Sequence, residues 1–138
     1  MQKALQTAQE LKKEISLNNM ITRGIRGAIT VNSDTKEEIK SATVELLSEM
    51  VKLNDIRLED IAFAIFTVTK DIKSDFPAKY ARLEMGFKYV PMMNYMEADI
   101  DGALEKCIRV MLSVNTEKKQ DEIKHVYLKN AKNLRQDL

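Results

Sequence analysis

The chain has almost no cysteine or histidine to work with: one of each in 138 residues, Cys107 and His125. A single cysteine excludes an internal disulfide and suits a reducing compartment, so a cytoplasmic location is expected. One cysteine and one histidine cannot make a standard zinc site. There is also no apolar run near the ~20 residues that a membrane span needs. The first nineteen residues contain Glu10 and Glu14 and no apolar core, which excludes a signal or transit peptide. Charge of one sign is missing too. The 22 Lys+Arg and 21 Asp+Glu nearly cancel to +1, giving no general pull toward nucleic acid or an anionic membrane. No glycine-rich phosphate loop is present, because Gly24-Ile25-Arg26-Gly27 is too short and sits in a strand pattern. Repeats, linkers and low-complexity stretches are absent as well.

What remains is a globular composition, 44% hydrophobic and 31% charged, long enough for one self-sufficient core. Leu5, Ala8, Leu11 and Ile15 place a narrow apolar stripe on a helix over residues 1–19. That helix is either an arm lying on its own domain or a contact with another subunit. Residues 20–138 form the main domain. Ile21 to Val31 alternates as a strand, with Ile21, Ile25, Ile29 and Val31 on one face and Arg26, Ala28 and Thr30 on the other. Asp34 and Glu37 resemble a capping box, and Ile39, Ala42, Thr43, Leu46, Leu47, Met50 and Val51 recur at helical spacing up to about Asn54.

Ile61 to Thr69 is a continuous apolar run, the pattern of a central strand covered on both faces. A short helix is expected between Pro77 and Gly86, then a strand over Phe87–Met92 limited by Pro91. Asp101-Gly102 marks a turn. Cys107 to Val114 alternates strictly, placing Ile108, Val110, Leu112 and Val114 opposite Cys107, Arg109, Met111 and Ser113. His125 to Leu128 closes the series as a short strand. The order predicts an α/β (α+β) layer: a mixed sheet with one long helix packed on it.

Two arginines, Arg26 and Arg109, lie inside these strand patterns. A guanidinium in an apolar strand is costly unless it is paired or faces a wet cleft. An ion pair at a sheet edge explains one as well as a ligand does. Two together make an anionic ligand a fair expectation, since the guanidinium fork matches a carboxylate. Glu97, Tyr127 and Arg82 are further candidates, each of which could equally be an ordinary surface group. A Cys107/His125 nucleophilic pair is disfavoured, because a lone cysteine in an apolar strand is usually packing. The residues alone lead to an anion-binding domain without metal or nucleophile.

The run Arg23-Gly24-Ile25-Arg26-Gly27-Ala28 resembles the opening of the small trimeric chorismate mutases of the AroH class. The likeness continues at Phe76-Pro77-Ala78-Lys79, Tyr89-Val90-Pro91, Lys106 to Met111, His125 to Leu128, Leu134-Arg135 and Asp137-Leu138. It implies an isomerase that rearranges chorismate to prephenate in aromatic amino-acid biosynthesis, without metal or other cofactor. It implies a homotrimeric pseudo-α/β barrel with sites between subunits. Arg109 and Glu97 would be the catalytic pair. Arg26, Tyr127, Asn94, Met93, Phe76, Lys79, Arg82, Leu134 and Arg135 would bind substrate, with Phe76 to Arg82 facing a neighbouring subunit's residues. The chain departs from the family pattern at Asn94, where a cysteine is usual, at Met92 and Met93, and at Lys70 and Gln136, which replace prolines. The first nineteen residues have no counterpart. A non-catalytic trimeric binding or regulatory protein of the same fold therefore stands as the alternative. A second is a protein-interaction role for the N-terminal helix.

Overall fold

The structure is a computed structural model and describes residues 7–12 and 19–135. Residues 8–12 are helical and exposed, and the rest of the helix expected over residues 1–19 lies outside the described residues.

The alternation in the sequence becomes five strands: β1 (Ile21–Thr30), β2 (Ile61–Val68), β3 (Met92–Met96), β4 (Cys107–Thr116) and β5 (Val126–Tyr127). They form one sheet in the order β3-β2-β4-β1-β5. β4 is antiparallel to both β1 and β2, while the outer strands β3 and β5 run parallel to their neighbours. A mixed sheet results, as the fold class required. β4 lies at its centre, hydrogen-bonded on both sides.

One face of this sheet is the core. Ile25, Ile29, Phe66, Ile108, Leu112 and Val114 are all essentially inaccessible to solvent. They are covered by α1 (Lys36–Leu53), which turns Ile39, Ala42, Thr43, Leu46, Leu47 and Met50 inward. Each large side chain so buried contributes about 1.5–3 kcal/mol relative to exposure. Gly27 permits the close approach: a Cβ there would collide with Met50 Sδ and lie 3.1 Å from Leu46 Cδ1. α1 ends at Asn54, as its pattern predicted.

Its start differs from expectation by one residue. Thr35, not Asp34, is the N-cap and accepts from the Glu38 N–H at 3.2 Å. Asp34 instead accepts from the Lys73 and Ser74 N–H groups, both at 3.0 Å, which ties α1 to the loop before the second helix. That helix, α2 (Pro77–Glu84), runs from the proline toward Gly86, whose φ of +75° suits a glycine stop.

Two other expectations need correction. The strand sought over Phe87–Met92 begins at Met92, and Phe87 is instead buried in the turn before it. Pro91 marks the first residue of pairing rather than the last. Its carbonyl accepts from Ala64 N–H at 3.0 Å, a role that needs no N–H of its own. β2 is central, but within the described residues only one of its faces is covered. Ala64 and Phe66 are buried, whereas Phe63 is 42% exposed. α1 and α2 pack on the same side; the other face is covered at one end, where Ala28 and Cys107 are buried against Leu104, Ala131 and Leu134, and is open over β2 and β3.

Candidate active site

Strand register decides which side chains meet on that open face. Arg26 pairs with Met111, and Met111 pairs in turn with Ile65 and Ile65 with Met93. In the next row on the same face, Tyr127 pairs with Ala28, Ala28 with Arg109, and Arg109 with Thr67. Directly opposed residues lie only ~5 Å apart at Cβ, so long side chains in these rows must touch or enclose space. Ala28 is the small residue between Arg109 and Tyr127, and its methyl leaves the gap open. The result is a cavity of about 260 Å³ lined by Arg26, Ala28, Arg109, Met111, Tyr127 and, from the C-terminal segment, Leu134 and Arg135.

The polar groups at its edge are arranged rather than scattered, with Glu97 reaching Arg109 from the adjoining cleft. Glu97 continues the β3 path by donating its N–H to Val68 O at 2.9 Å. Its Oε1 accepts from Thr67 Oγ1 at 2.6 Å and lies 2.9 Å from Arg109 Nε. The Arg109 Nε is otherwise buried and the N–H is not aligned on that oxygen. The contact is therefore an ion pair that holds the guanidinium without saturating it. The Tyr127 hydroxyl is buried and has no hydrogen-bond partner among the described residues. A buried orphan O–H costs about 1–3 kcal/mol, so its persistence beside two guanidiniums marks a position that a ligand oxygen would satisfy.

The other expected residues, Met93 apart, lie on the opposite side of the sheet. Asn94 pairs with Phe66, so it faces the helices, where its Oδ1 accepts from Ala78 N–H at 3.2 Å. It lines a second cleft of about 370 Å³ together with Phe76, Lys79, Arg82, Lys88 and Met92. Asp75 shapes this cleft. Its carboxylate accepts from Tyr80 Oη at 2.7 Å, Phe76 N–H at 2.9 Å and Lys79 Nζ at 3.0 Å. The Tyr80 hydroxyl, the Phe76 amide and the Lys79 ammonium together hold that carboxyl down to about 2, and the same bond pushes the Tyr80 phenol up to about 12. Met93 lines neither cleft. It is exposed on the open face, in contact with Tyr95 Oη.

Within one protomer, then, Arg26, Glu97, Arg109, Tyr127, Leu134 and Arg135 converge. Phe76, Lys79, Arg82 and Asn94 converge elsewhere. Sequence reasoning missed Thr67, Ile65 and Asp75. Alternation along β2 could have placed Ile65 and Thr67 beside Arg109, had one face of that strand been expected to stay open. Cys107 is fully buried and burial pushes its thiol up to about 11, which agrees with a packing role rather than a nucleophilic one. No group of three or more His, Cys, Asp or Glu side chains that could hold a metal ion occurs among the described residues. No helix among them is long and apolar enough to cross a membrane.

Comparison with known proteins gives a consistent picture. Residues 22–138 match the family model for chorismate mutase type I. Chorismate mutase AroH of Bacillus subtilis is 45% identical over 119 residues, 86% of this chain and 94% of that protein. Chorismate mutase AroH of Thermus thermophilus is 48% identical over 119 residues, covering 86% of this chain and 97% of its own. Among solved structures, a chorismate mutase from Clostridium thermocellum superimposes with a TM-score of 0.77 at 50% identity, covering 80% of this chain and 97% of that one.

Proposed function

The chain belongs to the type I chorismate mutase family and is an isomerase of aromatic amino-acid biosynthesis, and from that premise we propose how its own residues act on chorismate. The observation that carries the reading is the convergence on one cavity of Arg26, Arg109 and a Tyr127 hydroxyl that has no hydrogen-bond partner among the described residues. The substrate carries two carboxylates, one on its ring and one on the enolpyruvyl side chain. Its rearrangement to prephenate makes and breaks bonds within one molecule, so the protein's tasks are to position and to stabilise charge.

Arg26 and Tyr127 grip the side-chain carboxylate, folding the enolpyruvyl arm over the ring in its reactive conformer. Arg109 addresses the ether oxygen, which gains negative charge as its bond to the ring carbon stretches. A cation on the central strand, already set by Glu97, needs no reorganisation at that moment. Glu97 accepts from the ring hydroxyl and balances positive charge developing on the ring. Leu134 and Arg135 border the pocket from the C-terminal side.

The second cleft completes the site from a neighbouring copy. Phe76, Lys79, Arg82 and Asn94 cannot reach the first cavity across their own sheet. On the open face, Phe63, Met93, Tyr95 and Met111 are each between 37% and 56% exposed. An apolar face of that kind suits contact with another subunit, and a cyclic trimer then places one protomer's open face near the next protomer's Lys79 and Arg82. We assign residues 20–138 to the catalytic domain, residues 1–19 to a helical extension, and the protein to the cytoplasm. Incubating purified protein with chorismate tests the activity. Loss of chorismate absorbance with formation of prephenate is expected, and an unchanged spectrum at high enzyme concentration would refute it.

A further inference from the structure

The chain's one histidine lies beside the site but was given no part in it. Its imidazole Nδ1 accepts from the backbone N–H of Arg26 at 2.9 Å, directly ahead of the β1–β5 pairing of Gly27 with Val126. A side chain here takes the place of a ladder carbonyl. The segment that presents it is itself fastened. Asn54, 3% exposed at the end of α1, accepts from Lys124 N–H at 2.8 Å and donates to Lys124 O at 2.8 Å and to Met50 O at 2.9 Å. A continuous chain of contacts therefore runs from α1 through Asn54 and residue 124 to the imidazole and on to Arg26.

We propose that His125 is a positioning residue for Arg26: as the neutral Nε2–H tautomer it fixes the Arg26 backbone, and so aims the guanidinium that binds the substrate carboxylate. The proposal rests on the assignment of Arg26 above. Only a neutral imidazole protonated on Nε2 can accept at Nδ1. The surroundings favour that form. Burial, then the Arg26 guanidinium from β1, then the Arg135 guanidinium from the C-terminal segment, all push the imidazole below its ordinary value of 6.5. Protonation would turn the acceptor into a donor facing the Arg26 N–H and would add a third positive charge between two arginines.

Asparagine makes a discriminating substitute, because its Oδ1 sits where Nδ1 does and accepts without titrating. At pH 7.5 His125→Asn is expected to keep KM within about twofold of wild type, whereas the non-accepting His125→Leu raises KM about five- to tenfold with little change in kcat. In wild type kcat/KM falls as pH drops below the depressed histidine value, and in His125→Asn that acid limb is absent. Nitrogen-15 NMR of the wild-type protein has one histidine to observe and should show the Nε2–H tautomer with a midpoint below 6.5. An Nδ1–H tautomer, a midpoint at or above 6.5, or equal KM values in the Asn and Leu variants would overturn the proposal alone. If His125→Leu does not fold, the wild-type spectrum and the His125→Asn profile decide it. Absence of turnover by wild type would remove the functional reading and this proposal with it.

Discussion

Replacing Arg109 with lysine keeps the charge and removes the fork, and the geometry around Glu97 indicates how much that costs. Arg109 turns its Nε toward Glu97 Oε1 at 2.9 Å, so the terminal nitrogens are left as the ones able to extend toward a ligand. Lysine has a single nitrogen. With Glu97 already anchored by Thr67 at 2.6 Å, the ammonium is drawn to that carboxylate, and its one nitrogen is held away from the position where a guanidinium's terminal nitrogens would meet the ether oxygen. Loss of one aimed donor costs about 2.7–4 kcal/mol, which is roughly 10²–10³ in kcat. Arg109→Ala should fall at least as far, about 10³-fold or more. The assay is chorismate disappearance at saturating substrate, on variants whose melting temperatures match the wild type. A folded Arg109→Lys enzyme with kcat within tenfold of wild type would remove Arg109 from its assigned role.

Other expectations follow from contacts elsewhere in the molecule. Gly27→Ala drives a methyl into Met50 and Leu46, so it should destabilise by about 1–3 kcal/mol and lower Tm by several degrees in a thermal melt. An unchanged Tm would show that α1 yields freely. Asp75 has its carboxyl held at about 2, below the ordinary 3.8, so its stabilising contribution is present above 3.8 and is lost as pH falls toward 2. Acid unfolding of Asp75→Asn should therefore show a shallower dependence than wild type in that window, and superimposable curves would argue against the network. Cys107 should resist thiol reagents at pH 8 in the native protein and react only on unfolding, since it is buried with its thiol at about 11. Rapid native labelling accompanied by loss of activity would contradict its packing role.

The parts legible in the sequence were those governed by local periodicity. Strict alternation at Ile108–Val114 placed Arg109 opposite the core, and alternation at Ile25–Val31 did the same for Arg26. The core residues of α1 were likewise given by a period of 3.6. The face of Asn94 was not legible, because it lies beyond the strand expected over Phe87–Met92; pairing runs instead from Met92 to Met96, and its register with Phe66 turns Asn94 toward the helices. Thr67 and Ile65 were hidden because an all-apolar run carries no information about which face stays uncovered. The partition of the site residues into two clefts was not legible from the residues alone, since it depends on which side of the sheet each element packs; only the family resemblance implied that Phe76 to Arg82 meet another subunit.

That partition has a genetic consequence. If each working site borrows Arg109 from one chain and Arg82 from the next, a chain lacking Arg109 and a chain lacking Arg82 are defective in complementary ways. Co-expressed or refolded together, such a pair should regain turnover that neither shows by itself, with about a quarter of the sites in randomly mixed cyclic assemblies inheriting both intact contributions.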